Sequence, residues 1–384
     1  MKIVYLVESK FCQRDYDRFG LDVIFRRGYK DIEVWDFSCC FRYDYFKSFT
    51  PVDMLSGENY ISISDKNFAM QLLQAQSSNT VFICLIGISA KCSYIFNYLN
   101  KKQHLYGFLS FGLIPVQSNN SKSFDNIKKA LVNPVNTLRK LIELGMVKIS
   151  TFGLPINPDF VILGGAVATH KYINGRTNLL KAHALDYDLF LASKNFPELK
   201  QNQKYAVFLD HYLPYHPDTI GNEVINPEHY YKTLNNFFEY VELKLGLEVV
   251  IAPHPRADYT RIGNPFNNRL IANYPTHNIV KNSELVITHY STSVAFAVLY
   301  NKPLLFLNDD LYRLNIQNFI NNMADFFHKS PINLSKSNFI IRIEDIVVDN
   351  HIYNSYKELY IKENNTPEKK YWDIFADYLD KITV

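Results

Sequence analysis

The chain has 384 residues, with 41 Lys and Arg against 38 Asp and Glu, and a formal net charge of +3. Its basic residues are dispersed, so no stripe would follow a nucleic-acid backbone, and nucleic acid is excluded as a partner. At 47% hydrophobic and 21% charged it is globular rather than disordered, and its length suits two domains of ordinary size.

The cysteines Cys12, Cys39, Cys40, Cys84 and Cys92 are odd in number and lack CxxC spacing. Free thiols in a reducing compartment are expected, and none has the surroundings of a nucleophile. Met1 to Val7 is too short for a signal peptide and is followed at once by Glu8 and Lys10. No uncharged stretch reaches membrane-spanning length. The expectation is a cytoplasmic protein, with peripheral contact to the inner membrane face left open. Tyr and Phe are abundant, at 27 and 28. Codon bias explains this first, and aromatic faces for sugar rings second.

In chain order, Lys2 to Val7 reads as a buried parallel strand. A helical stretch with Phe19, Val23 and Ile24 on one face ends before Gly28, where a left-handed cap fits. Ile32 to Trp35 is a second strand, Lys66 to Gln76 a helix, Val81 to Ile86 a strand, and Ser89 to Leu99 a helix. Leu105 to Leu109 continues the strand series. This alternation is that of a doubly wound α/β domain. Asp125 to Leu144 is a long helical pattern, kinked or split by Pro134. Phe160 to Leu163 precedes Gly164-Gly165, either a turn or a close backbone approach to a ligand.

Asn195 to Lys204 turns polar, and the boundary between domains is drawn there. Tyr205 to Leu209 restarts the strand pattern and delivers Asp210 into a loop dense in ionisable groups. The next helix is well marked. Asn226 caps it, Pro227 opens it, Glu228 suits its positive end and Gly246 stops it. Its stripe of Tyr231, Leu234, Phe238 and Val241 is core.

Two later loops each follow a short apolar strand. One is Val249-Val250-Ile251-Ala252-Pro253-His254-Pro255-Arg256. The other is Leu285-Val286-Ile287-Thr288-His289-Tyr290-Ser291-Thr292-Ser293, which opens a helical run to Tyr300. In an open α/β sheet ligands sit outside the carboxyl ends of the strands, so both loops can face one ligand. Ser291, Thr292 and Ser293 at a helix start offer N–H and hydroxyl donors, His254 a ring N–H, and Arg256 a forked contact. These groups suit an anion, although Ser291 also reads as a plain N-cap and His254 as a loop histidine.

The His-Pro loop followed by the segment from Leu285 through Asn301-Lys302-Pro303 to Asp310 resembles the donor half of GT-B glycosyltransferases that use cytidine nucleotides. One such group is the bacterial sialyltransferase and Kdo-transferase group. The other is the CDP-glycerol glycerophosphotransferase group, which usually carries Asp where this chain has His289. The resemblance covers about the last third of the chain. It implies two Rossmann-like, doubly wound domains facing a central cleft. Residues 1–195 would bind the acceptor and residues 205–365 the donor. Residues 366–384, with Trp372, Ile374, Phe375 and Tyr378 at helical spacing, would cross back to the first domain. It further implies that His254 and Ser291 to Ser293 hold the donor phosphate, a role that Arg256 suits by its forked guanidinium.

Transfer needs a base for the acceptor hydroxyl. Asp210, at a strand end, is the first choice, and it also reads as a loop aspartate that holds its own turn. Sialyltransferase-like enzymes usually draw the base from the first domain, which would make it Glu8, Asp15, Asp17 or Asp36. His254 acts either as acid to the leaving phosphate or as a neutral donor. No metal or further cofactor is expected. Asp186 and Asp188 fall at a helix start that aims them apart, and Asp309-Asp310 either meets a ribose or ends a strand.

The expected activity is inverting, metal-independent transfer of a sugar to a surface-polysaccharide glycan or glycolipid. The donor would be a CMP-sugar, a nonulosonate or Kdo. The alternatives are a CDP-glycerol or CDP-ribitol polyol-phosphate transferase, a UDP-sugar GT-B enzyme, and a non-catalytic GT-B scaffold.

Overall fold

The computed structural model describes residues 1–48, 50–51, 53–116, 156–193, 204–216 and 225–383. The helical pattern read over Asp125 to Leu144 and most of the polar boundary segment lie outside them.

The first domain is a seven-stranded parallel sheet. Its strands are β1 (Lys2–Val7), β2 (Asp31–Asp36), β3 (Tyr60–Ser62), β4 (Thr80–Leu85), β5 (Leu105–Ser110), β6 (Phe160–Gly164) and β7 (Asn178–Ala182), in the order β3-β2-β1-β4-β5-β6-β7. Alternate residues of β1 enter different cores. Ile3, Tyr5 and Val7 pack on one face, Val4 and Leu6 on the other. Burial on both faces is why this strand reads as an unbroken apolar run.

The second sheet is also parallel, with β8 (Tyr205–Leu209), β9 (Glu248–Ala252), β10 (Leu285–Thr288), β11 (Leu304–Asn308) and β12 (Ile332–Asn333) in the order β12-β11-β10-β8-β9. After β8 the helix Pro227–Leu245 starts with the Asn226 side chain accepting the His229 N–H at 3.2 Å and ends at Gly246 with φ +63°. Both signals were legible in the sequence.

The last helix, Tyr371–Thr383, packs into the first domain, with Trp372, Phe375 and Leu379 fully buried in its core. Arg27 clamps its outer face through Asp373, Asp377 and Asp380 at 3.4, 2.8 and 2.6 Å. Trp372 also splits the first helical stretch in two, Gln13–Arg18 and Leu21–Arg26. The break is Gly20, at φ +60°, where a Cβ would lie 2.2 Å from the indole. The pair Gly164-Gly165 serves a close approach too, but to the chain itself. A Cβ on Gly165 would meet the Leu359 carbonyl at 2.5 Å.

Two doubly wound domains, with a cleft between them and the final helix returned to the first, make this a GT-B fold. Among the described residues no helix is long and apolar enough to cross a membrane.

Candidate functional site

A cavity of about 1350 Å³ lies between the domains, outside the carboxyl ends of β1, β2, β8 and β9. The first domain contributes Lys10, Cys12, Arg14, Asp15, Tyr45 and Asp53, and the second His216, His254, Arg256 and Tyr259. The Arg256 guanidinium lies 5.8 Å from the Tyr45 ring, so the His-Pro loop comes up against the first domain.

His254 follows β9 and is half-buried. Its Nδ1 accepts the Arg256 backbone N–H at 3.1 Å. A ring nitrogen that accepts carries no proton, so in this geometry the N–H sits on Nε2. The short loop of the two prolines thus turns His254 into a donor at its far nitrogen. The His216 ring meets it edge-on at 4.7 Å.

Asp15 lines the facing wall from the short helix Gln13–Arg18 and is 6% exposed. Arg14 holds its Oδ1 at 2.6 Å, and the Cys12 thiol and backbone N–H approach Oδ2 at 3.3 and 3.4 Å. Asp15 therefore caps its own helix while facing the cavity. Burial pushes the Cys12 thiol up, away from the reactive thiolate.

The other acids named from sequence stand elsewhere. Asp210 does not line the cavity. It is 4% exposed, beneath the loops, and accepts from Tyr212 N–H at 2.8 Å and Tyr259 O–H at 2.5 Å. Burial raises its pKa, and these donors oppose the rise. Glu8 accepts the Gly87 N–H at 2.9 Å. Asp36 is buried against the Ser38 N–H and Tyr60 O–H, at 2.7 and 2.5 Å. Asp17 is exposed and takes Gln13 Nε2 at 2.9 Å.

Ser291, Thr292 and Ser293 turn from β10 into the helix Val294–Leu299. Ser291 Oγ accepts the Ser293 N–H at 3.2 Å within the turn, and Ser293, at the N-cap, makes no side-chain cap bond. The three are not among the residues lining the cavity with His254. β8 stands between β9 and β10, so two strand spacings of about 5 Å separate the turns. Only a ligand lying across the end of β8 would meet both. His211, on that intervening loop, packs its ring 4.6 Å from Tyr290.

Asp309 is buried against His229 Nε2 at 2.9 Å, Leu311 N–H at 2.8 Å and Ser335 O–H at 2.7 Å. Asp186 faces Arg18, while Asp188 accepts the Tyr371 N–H at 2.9 Å, so the two carboxylates do diverge. Among the described residues no group of three or more His, Cys, Asp or Glu is arranged to hold a metal.

Sequence reading missed Lys10, Tyr45, Asp53, His216 and Tyr259 as cavity-lining residues. None lies in a recognisable motif. Lys10 alone carries a local hint, a cation three residues after an apolar strand. Its Nζ ties down Phe46 O and Thr50 Oγ1, each at 2.8 Å, and so shapes the wall.

His289 is wholly buried, with Nδ1 2.9 Å from Leu307 O and Nε2 3.4 Å from Tyr230 O–H. Burial lowers its pKa from 6.5 to about 4. Above pH 6.5 both folded and unfolded chains hold it neutral. Between 6.5 and 4 the unfolded chain takes a proton that the folded one refuses, so stability falls with pH, by up to roughly 3 kcal/mol. His289→Gln should remove this contribution. Its melting temperature relative to wild type should therefore rise steadily from pH 6.5 to 4.5, and parallel curves would mean that His289 titrates normally.

No family model and no curated protein sequence matches the chain. Solved structures similar to it include S. aureus MnaA with UDP, at 12% identity over 100% of this chain and 98% of that one, TM-score 0.48. The wall teichoic acid polymerase TagF is 12% identical over 99% of this chain and 90% of that one, TM-score 0.49. The calicheamicin glycosyltransferase CalG4 is 12% identical over 100% and 97%, TM-score 0.45. Each is a likeness of backbone course, and none speaks to substrate.

Proposed function

We propose that this chain is a transferase using a nucleotide-linked donor, with the donor phosphate on His254 and Arg256 and an acceptor hydroxyl deprotonated by Asp15. The observation that carries the reading is one cavity lined by Asp15 from the first domain and by His254 and Arg256 from the second. An acid facing a phosphate-binding wall suits in-line displacement, in which the acceptor attacks from the side away from the leaving phosphate and the configuration inverts. His254 Nε2–H and Arg256 supply donors where negative charge grows on the departing phosphate, so the mechanism needs no metal. Asp15 replaces Asp210 as base because a base must reach the proton it takes.

The first donor class is a CMP-linked nonulosonate or Kdo, and the acceptor a surface glycan or glycolipid, as the resemblance of the two loops implies. A second reading, polyol-phosphate transfer from CDP-glycerol or CDP-ribitol, gains from the burial of His289. The residue by which this chain departs from that group lies in the core, so the departure leaves the ligand side unaltered.

A thermal-shift panel with CMP, CDP, UDP and GDP tests the reading, since a ligand that binds only the folded state raises the melting point. A response to CMP alone is the expected result. A larger response to CDP supports polyol-phosphate transfer, and one to UDP or GDP overturns the cytidine assignment. No response to any of the four overturns donor binding and favours a scaffold.

A further inference from the structure

Asp210 joins three segments that are distant in sequence. Its own strand, β8, leads into a turn in which Tyr212 adopts φ +54°, an uncommon conformation for a residue with a side chain. The carboxylate accepts the Tyr212 N–H across that turn at 2.8 Å. The backbone N–H groups of His211 and of His254, in the neighbouring His-Pro loop, lie near enough to help hold its pKa down. Its second oxygen takes the hydroxyl of Tyr259, from the short helix after that loop, at 2.5 Å. One backbone N–H and one hydroxyl are thus hydrogen-bonded to one buried carboxylate, with two more backbone N–H groups nearby. The Asp210 N–H meanwhile donates to Ala252 O at 3.0 Å, which ties the same two strand ends together from the other side.

We propose that Asp210 is a positioning residue: it clamps the His-Pro loop to the β8 turn, and so holds His254 with Nδ1 on the Arg256 N–H and Nε2–H toward the cavity. The consequence for donor binding rests on the function proposed above, whereas the effect on the His254 ring does not. A carboxylate suits this task because every partner is a donor. An amide has only one acceptor oxygen, so it cannot accept from both the Tyr212 N–H and the Tyr259 O–H. A buried N–H or hydroxyl left without an acceptor is costly, so the loop would shift to find another.

Asp210→Asn in the full chain, with nitrogen-15-labelled histidine, tests the idea. His254→Asn identifies the His254 ring signals by their loss. The wild type should show one His254 tautomer, protonated on Nε2. Asp210→Asn should give exchange-averaged ring nitrogens, and affinity for the nucleotide bound best in the panel should fall at least tenfold. Tyr259→Phe removes one of the two hydrogen bonds to the carboxylate and should produce a smaller change of the same kind. Trp372→Phe, in the core of the first domain, controls for lost stability and should leave the His254 signals unmoved. A single Nε2–H tautomer in Asp210→Asn, with unchanged affinity, overturns the proposal. If the wild type binds none of the four nucleotides, the donor-site reading fails, and the ring signals alone still decide the role of Asp210.

Discussion

His254→Ala should weaken nucleotide binding by about 10- to 100-fold and leave the melting temperature of the free protein nearly unchanged. A hydrogen bond to a charged group contributes roughly 1.5–3 kcal/mol, and each 1.4 kcal/mol is about tenfold in affinity. The ring is half-buried at the mouth of a large cavity, so its loss opens no closed void. The directional evidence is stronger than the presence of a histidine. Nδ1 is engaged by the Arg256 N–H, which leaves Nε2 as the donor. His254→Asn sharpens the test, because its amide oxygen can still accept from Arg256 while nothing reaches as far as Nε2. Isothermal titration of both variants with the nucleotide that stabilises the wild type should give the same deficit. If His254→Asn binds like wild type, the phosphate contact does not come from Nε2 and the proposed donor wall is wrong.

Asp15→Asn should lower the transfer rate by roughly 10² to 10⁴, the usual contribution of a positioned base, and leave nucleotide affinity within about twofold. The separation follows from the two domains, since Asp15 lines the cavity from the first and His254 and Arg256 from the second. Asparagine can keep the cap on the Cys12 N–H, so the helix Gln13–Arg18 should survive, with a stability cost of about 1 kcal/mol. Two other carboxylates line the cavity among the described residues, Asp53 and Asp258. Asp258 is committed to capping the helix Tyr259–Ile262. Asp53 is exposed on the first-domain wall and is the natural control. Rate assays with the donor class chosen by the nucleotide panel would compare Asp15→Asn with Asp53→Asn. Loss in Asp53→Asn with a normal rate in Asp15→Asn would move the base to Asp53 and leave the donor wall standing.

Most strands could be read directly because parallel sheets bury both faces of their central strands. β1, β4, β8, β10 and β11 appear in the sequence as apolar runs for that reason. The three strands that could not be read, β3, β7 and β12, are all at sheet edges. β7 shows why, since four of the five residues in Asn-Leu-Leu-Lys-Ala are not fully buried, and the segment carries neither an apolar run nor an alternation. Caps were equally legible where one residue suffices, as at Asn226 and Gly246. Gly20 was not, because its reason is Trp372, about 350 residues away in sequence.

The site divides along the same line. Chemistry carried by adjacent residues, such as His254 between two prolines and Ser291 at a helix start, is local and visible in one dimension. By itself the sequence determined the doubly wound alternation, the His-Pro loop after a strand, and the residue types suited to an anion. Tertiary structure alone decided which acid faces that loop. Asp210 and Asp15 each follow or lie near a strand end, and nothing local distinguishes them. Folding sends one carboxylate beneath the loops, onto the Tyr212 N–H and the Tyr259 O–H, and leaves the other on the cavity wall. The physical reason is that a carboxylate's role depends on which donors converge on it, and those donors come from segments brought together only by the packing of strands and domains.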